Sequence, residues 1–484
     1  MYKDLFYYLG RVEVDGSPSI VHRDLYCEHS HVLGKSGRGK SSMVLAPFCE
    51  QTISFGDTSL IFVDLKADKL ENLAACCAAQ RELKSRTGMD IPIRVFTLKN
   101  GGTSHIFNPF LTRGLNQMSF ADRVTLITEP LDLFYGVGYG HGHFSAKNSA
   151  TVRECLIANP GISSFHELYS ALMEQARDPN SYVGSQHRNE YIQVAETVLS
   201  LASCSVLNVS PSTLHSKEAL ANQIDLAAAF QSPAIYYFHL TSVTSPFVAQ
   251  VVGRLVVKYL LIAAQSALRK VRVQVVIDEF QRMISNNLDV VFQQARSQDI
   301  GIMIANQSMG DLRNAGPVLL SAIESNCAVR QWLSVNTADD LEHLTKLFGS
   351  YKKVHETVTD SPHGRSVSRT LRDEPRITTN NLQEISDDPF LSVVQIDGER
   401  DGFAKYRGVP FVLRNSFHIS DREYRERLKF QWPTDLPGMI KVSELPIPPT
   451  PVGRTKTNFK SKAKHADSAN TNANDHLSFD ELLG

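Results

Sequence analysis

Unbroken runs of apolar, largely β-branched residues alternate along this chain with stretches whose apolar positions recur every three or four residues. The runs are 59–66, 92–98, 234–240, 271–280, 301–308 and 327–333, and most end in polar or charged residues. Short runs without polar alternation predict strands buried on both faces. The stretches 70–86 and 246–270 carry helical spacing, and a further helix is expected from about 281 to 296, so strand and helix alternate, as in a parallel α/β sheet. Earlier in the chain, 10–14 and 20–25 predict two short strands joined by the turn Asp15-Gly16-Ser17-Pro18. Between 111 and 224 the pattern is different. Helices are predicted over 120–134, 145–158, 164–176 and 188–203, with Pro and Gly between them and no strand-like run.

Composition changes this picture little. The 484 residues are enough for two to three domains, and a formal net charge of −1 with 42% hydrophobic residues is that of an ordinary globular chain. Overall balance leaves nucleic-acid binding open, because local basic patches decide it. The seven cysteines are odd in number and mostly in apolar surroundings, which predicts reduced thiols and no disulfide framework. The first ten residues lack the form of a signal peptide, and the most apolar stretch, 251–267, carries Arg254 and Lys258, so it reads as a packed helix. A cytoplasmic protein is the expectation.

The chemistry starts in the segment Gly34-Lys35-Ser36-Gly37-Arg38-Gly39-Lys40-Ser41-Ser42, which fits G-x-x-x-x-G-K-[ST] at Gly34, Gly39, Lys40 and Ser41. Glycines let the backbone turn its N–H groups around phosphate oxygens, and a helix from about Ser42 points its N-terminus at the same anion. Lys40 is expected to meet the β- and γ-phosphates, and Ser41 to offer a hydroxyl to Mg²⁺. All nine residues are taken as the nucleotide-binding loop. The β-branched run 271–277 ends in Asp278 and Glu279, the Walker B pattern. Asp278 is expected to hold Mg²⁺ and Glu279 to activate water. The next strand ends in Asn306 and Gln307, either of which is in line for the γ-phosphate or the attacking water.

Other residues leave two readings open. Asp64 and Lys66, at the end of an apolar run, face the ligand side of such a sheet or cap a solvated end. Cys27, His29 and His31 alternate as metal ligands on one strand face do, or as structural residues of the strand feeding the loop. The glycine-rich stretch 135–144, with His141 and His143, is a flexible loop or a metal site. The basic stretches 350–355 and 364–370 form a hairpin-like region that faces phosphates or solvent. From Pro433 onward, prolines, then Arg454, Lys456, Lys460, Lys462 and Lys464, then a polar stretch, predict a disordered tail. Its acidic and apolar tip, 475–483, is a docking peptide or a solvated terminus.

In this order the nucleotide loop, Val63-Asp64-Leu65-Lys66, Asn108-Pro109, the helical stretch, Asp278-Glu279-Phe280 and Gln307-Ser308 resemble the type IV coupling proteins, the TraD/TraG-like conjugative DNA-transfer ATPases of the FtsK/HerA superfamily. The segment Ala295-Arg296-Ser297-Gln298-Asp299-Ile300-Gly301 is similar to that family's arginine segment. Residues 375–378 through 393–398 are similar to its closing segment. The resemblance covers about residues 20 to 415 and lacks the N-terminal membrane helices usual in the family. It implies a RecA-like P-loop NTPase with a mainly parallel central sheet. The first part of the ATPase domain would be 1–110, an all-helical insertion domain 111–224, the second part 225–432, and a disordered tail 433–484. It further implies ATP and Mg²⁺ as cofactors and a ring, expected to be a hexamer. Arg296 would serve as an arginine finger with Arg330 in reserve, and the ring would move single- or double-stranded DNA. Implied partners are a relaxase or other DNA-processing protein and a membrane-embedded secretion or anchor protein, which would hold the chain at the inner membrane. The competing expectations are a HerA-like DNA-processing or defence ATPase and a nucleotide-regulated scaffold with little turnover.

Overall fold

The computed structural model describes residues 6–99, 101–111, 118–131, 141–178, 187–210, 214, 216–241, 245–266, 268–285, 288–315, 317–335, 337–361, 364–397 and 408–445. The strands, in chain order, are Phe6–Val12 (β1), Pro18–His22 (β2), Ser30–Leu33 (β3), Thr58–Asp64 (β4), Ile93–Thr97 (β5), Thr103–Ser104 (β6), Ile235–His239 (β7) and Arg272–Asp278 (β8). They continue with Ile300–Asn306 (β9), Val329–Trp332 (β10), Ser350–Ser361 (β11), Gly364–Pro375 (β12), Leu391–Ile396 (β13), Phe411–Arg414 (β14) and Ile440–Lys441 (β15). Eleven of these form one sheet in the order β2-β1-β14-β13-β10-β3-β9-β8-β4-β7-β5. From β10 to β5 every pairing is parallel, and from β13 outward to β2 every pairing is antiparallel. The fold is therefore α/β with a mainly parallel centre, as the apolar runs predict.

Both faces of the centre are covered, which is why β4 is buried at all seven positions. One face packs on the helices Ala46–Ser54 and Glu71–Thr87, where Phe48, Leu73 and Cys76 are buried with Phe62 and Tyr237, whose rings stack at 5.0 Å. The other face packs on Pro246–Ser266. That helix is long and apolar enough to cross a membrane, but Val251, Val252, Leu255, Val256 and Tyr259 are buried in the core of this chain. The described part of 111–224 contains the helices Phe120–Leu131, His141–Ala158, Phe165–Arg177, Arg188–Ala202 and Lys217–Ala221, with no strand among its described residues.

The parallel register sets the site. Asp64 pairs with Asp278, and Leu33 with Asn306, so four strand ends meet along one edge. The chain passes from β3 to β4 across two intervening strands, which makes the kind of switch point where such sheets bind ligands.

Four sequence expectations are corrected. The second N-terminal strand ends at His22, not residue 25, because Arg23 turns inward to Asp57 at 2.7 Å and Arg23–Glu28 closes into a tight 3₁₀ turn. Cys27, His29 and His31 therefore do not share one strand face, and they belong to no group of three or more His, Cys, Asp and Glu placed as metal ligands among the described residues. The helix expected from residue 281 to 296 is a short 3₁₀ turn, Phe280–Met283, followed by the helix Leu288–Ser297. The helix after the nucleotide loop begins at Lys40, not Ser42, with a wide opening turn over Lys40–Leu45.

The expected tail boundary also moves. Residues 433–445 are packed on the body: Thr103 donates to the Pro433 carbonyl at 3.0 Å, β15 pairs with β6, and Leu445 is buried. Trp432 donates its indole N–H to the Thr103 carbonyl at 2.8 Å. Prolines allow this because few backbone donors are needed where carbonyls and side chains make the contacts. A chain ending at residue 448 should keep the melting temperature of the full chain. One ending at 432 should lose at least about 2 kcal/mol, the burial of Leu445 alone. Equal melting of the two truncations by calorimetry would show that this segment adds nothing. The expectations for 135–140, for the side chains of His141 and His143, and for the tail beyond 445 fall outside the described residues.

β11 and β12 form a separate two-stranded ladder, exposed at its described positions apart from the half-buried His355 and Glu374. Its five Lys and Arg are answered by four Asp and Glu, several in direct pairs such as Arg369 with Glu356 at 2.6 Å and Lys353 with Glu374 at 3.0 Å. Positive charge is not concentrated there.

Candidate functional site

Gly37 and Gly39 hold φ of +80° and +83°, a region in which L side chains are strained, and a Cβ on Gly39 would sit 2.0 Å from Met43 Cε. These turns bring the loop around to Lys40, which is buried and donates its ammonium to the Gly34 carbonyl. The loop is anchored on both sides. Gly34 N–H donates to the Asn306 carbonyl at 3.2 Å, and Lys35 N–H to Ser334 Oγ at 2.9 Å. A cleft of about 390 Å³ opens here, lined by Lys35, Ser36, Gly37, Gly39, Lys40, Ser41 and Ser42 on one wall and Asp64, Lys66, Asp278 and Glu279 on the other. The Arg38 guanidinium reaches the Asp387 carbonyl at 3.3 Å.

Three carboxylates crowd the opposite wall. Asp278 is buried, and burial together with the neighbouring charges of Asp64 and Glu279 pushes its carboxyl up to about 7. Asp64 is pushed up to about 6 by burial, although Tyr237 donates to it at 2.8 Å and the N–H groups of Ala67 and Lys66 at 2.7 and 3.2 Å. Burial draws the Lys40 ammonium down, against the pull of Glu279 and Asp278. Carboxylates that resist ionising together beside a hydroxyl are suited to a divalent cation, so Ser41 and Asp278 fit the expected Mg²⁺, with Asp64 behind them. The glycine turns and Lys40 fit the phosphates of a nucleotide.

Glu279 is the most constrained residue of the site. Its backbone is left-handed at φ +59°, ψ +45°, a conformation that costs a non-glycine residue about 1 kcal/mol or more. Its side chain is nearly inaccessible and fully engaged. Gln307 donates one N–H₂ group to both carboxylate oxygens at 2.8 and 2.7 Å, and Gln281 donates to one of them. The strain turns the carboxylate across to β9 in place of following the strand. Gln307, not Asn306, is thus the amide at the site. Asn306 is buried, where its carbonyl accepts from His31 Nε2 at 2.6 Å and its amide donates to the Ser308 carbonyl at 2.7 Å. His31 is structural, held neutral by burial that lowers it to about 4.

The two candidate arginines are separated by the fold. Arg330, the reserve candidate, is buried in β10 and bound by Asp397 and Gln395 of the adjoining segment. Arg296 is 49% exposed at the opposite end of the parallel strands, away from its own Lys40. Sequence reasoning left Asp64 and Lys66 open and passed over Tyr237 and Gln281. The register Asp64–Asp278 joins the first of these to the site. The signal for Asp64 was its position at the end of an apolar run, whereas Tyr237 lies inside such a run and gives none.

No curated protein matches the chain by sequence. The family described as the TraM recognition site of TraD and TraG matches residues 272–387, which include Asp278, Glu279, Arg296 and Gln307. The bacterial conjugative coupling protein TrwBdeltaN70, in an unbound monoclinic form, aligns at 15% identity over 85% of this chain and 89% of its own, with a TM-score of 0.59. The plasmid coupling protein TrwB with a non-hydrolysable ATP analogue aligns at 14% identity over 89% and 92%, with a TM-score of 0.58. The same protein with ADP and Mg²⁺ gives 14%, the same coverage and 0.56. These likenesses establish the fold. That fold surrounds a segment, residues 272–387, that is similar to the TraM recognition site of TraD and TraG.

Proposed function

We propose that this chain hydrolyses ATP with Mg²⁺ and uses the energy to move DNA in a conjugation or type IV secretion system, working as a ring of identical subunits. The observation that carries the reading is Glu279. A strained, buried carboxylate held by Gln307 beside Lys40 suits a catalytic base, and a nucleotide-regulated scaffold has no need of one. Complexes of the fold relative TrwB with a non-hydrolysable ATP analogue and with ADP and Mg²⁺ support the choice of nucleotide.

In this reading Lys40 exchanges the Gly34 carbonyl for the β- and γ-phosphates. Ser41 and Asp278 would hold Mg²⁺, which when bound would neutralise charge on the phosphates. Glu279 accepts a proton from water as the water oxygen attacks the γ-phosphorus. The bond to the bridging oxygen breaks, leaving ADP and inorganic phosphate. Gln307 acts through Glu279 by fixing the carboxylate. Arg296 completes the site of a neighbouring subunit. Relaxase-like DNA-processing proteins and a membrane-embedded anchor are the partners, and the chain works at the cytoplasmic face of the inner membrane.

The test is ATP turnover without DNA, with single strands and with duplex. Turnover should rise with DNA regardless of sequence, and the affinity for DNA should fall at least ~10-fold between 50 and 200 mM salt. A rate indifferent to every DNA form at low salt and high protein concentration would overturn the motor and favour the scaffold.

A further inference from the structure

The nucleotide cleft has a third wall that the reaction above does not use. Beyond the loop and the carboxylates it is closed by Lys69, by Glu71 and Asn72 at the start of the helix Glu71–Thr87, and by Tyr424 of the short helix Asp421–Arg427. The loop and the acids account for the phosphates and Mg²⁺. What remains of a nucleotide is its sugar and base, a flat ring edged with polar groups and joined to two hydroxyls. Asn72 is 4% exposed, and its amide oxygen accepts no hydrogen bond among the described residues. A buried acceptor without a donor is costly, so this wall suits a ligand that brings one.

Tyr424 reaches the cleft because the chain, after β14, is tied to the helix that the nucleotide loop feeds. Arg427 and His418 both pair with Glu50 of the helix Ala46–Ser54, His418 at 2.5 Å, and Arg427 also holds Glu423 at 2.7 Å. Behind Tyr424 stands the Phe417 ring, with centroids 5.7 Å apart, and behind that Phe390 at 6.0 Å. Contacts between such rings favour one arrangement over others. Tyr424 is thus a half-buried platform fixed at the rim of the cleft.

We infer that Tyr424 stacks on the base of the bound nucleotide and that Asn72 accepts a hydrogen bond from its ribose. Stacking needs only a π face, which every base has, so this end of the cleft takes adenine and guanine alike and favours a nucleoside triphosphate over bare phosphates. The inference rests on the reading of this cleft as an ATP site, and adds to it the residues that hold the end of the molecule away from the reaction.

The test measures binding of ATP, GTP and inorganic tripolyphosphate to the full chain by calorimetry, with Mg²⁺ present. Tyr424→Ala should weaken ATP and GTP by a similar factor, roughly 5- to 150-fold. It should leave tripolyphosphate unchanged, which also shows the loop intact. Tyr424→Phe keeps the ring and should bind all three as the unaltered chain does. Either 2′-deoxy-ATP or 3′-deoxy-ATP should bind the unaltered chain roughly 2- to 12-fold more weakly than ATP, the worth of one hydrogen bond, and Asn72→Ala should erase that difference. Unchanged ATP binding in Tyr424→Ala, or a loss in Tyr424→Phe as large as in Tyr424→Ala, would overturn the stacking. Equal binding of ATP and both deoxy forms would overturn the Asn72 contact. An unaltered chain with no affinity for ATP, GTP or tripolyphosphate would overturn the nucleotide reading itself, a result distinct from either.

Discussion

Glutamine in place of Glu279 is expected to cut ATP hydrolysis by ~10²–10⁴-fold while ATP still binds. The amide keeps the shape of the side chain but cannot accept a proton from water. It also cannot keep the present contacts, because two Gln307 hydrogen bonds and one from Gln281 all require acceptor oxygens. Lys40→Ala should differ by losing binding as well as hydrolysis, since the loop then has no buried cation for the phosphates. Single-turnover hydrolysis, measured beside nucleotide binding by calorimetry, separates the two. A Glu279→Gln protein with near-normal turnover would remove that residue from catalysis and revive the scaffold.

Arg296→Ala is expected to lower turnover by ~10³–10⁵-fold, the range for an arginine supplied in trans. The alternative is an exposed cation at a helix end paired with Glu28, worth only about 0.3–1 kcal/mol to the helix. The two readings differ by orders of magnitude in rate, so one measurement decides. Because the strands place Arg296 at the far edge from its own loop, mixing Arg296→Ala with Lys40→Ala should restore part of the activity. No recovery in mixed assemblies verified by mass spectrometry would count against action between subunits.

The strands of the parallel centre were legible because both their faces are buried. Burial on both sides demands apolar residues at consecutive positions, which is a local mark. The nucleotide loop was legible for a related reason, since its glycines and Lys40 answer a need of the backbone within nine residues. Less was legible where a residue is defined by what it meets across the fold. The 3₁₀ turn Phe280–Met283 and the separate helix from Leu288 lay inside what read as one helix, because the apolar positions of both keep helical spacing. The segment 433–445 looked like a linker from its prolines, and only its pairing with Thr103 and Ser104 made it part of the body.

Taken alone, the sequence determined the parallel α/β architecture, the order of its motifs and the chemical types at the nucleotide site. Those follow from short-range rules of burial and backbone geometry. Tertiary structure decided which of these residues work together. It set Asp64 beside Asp278 through strand register, chose Gln307 over Asn306 for Glu279, and closed off Arg330 behind Asp397 while leaving Arg296 at an open edge. Each of these choices depends on contacts between residues far apart in the chain. A side chain's partner across such a distance is fixed by strand order and crossover, and no local pattern of residues encodes either.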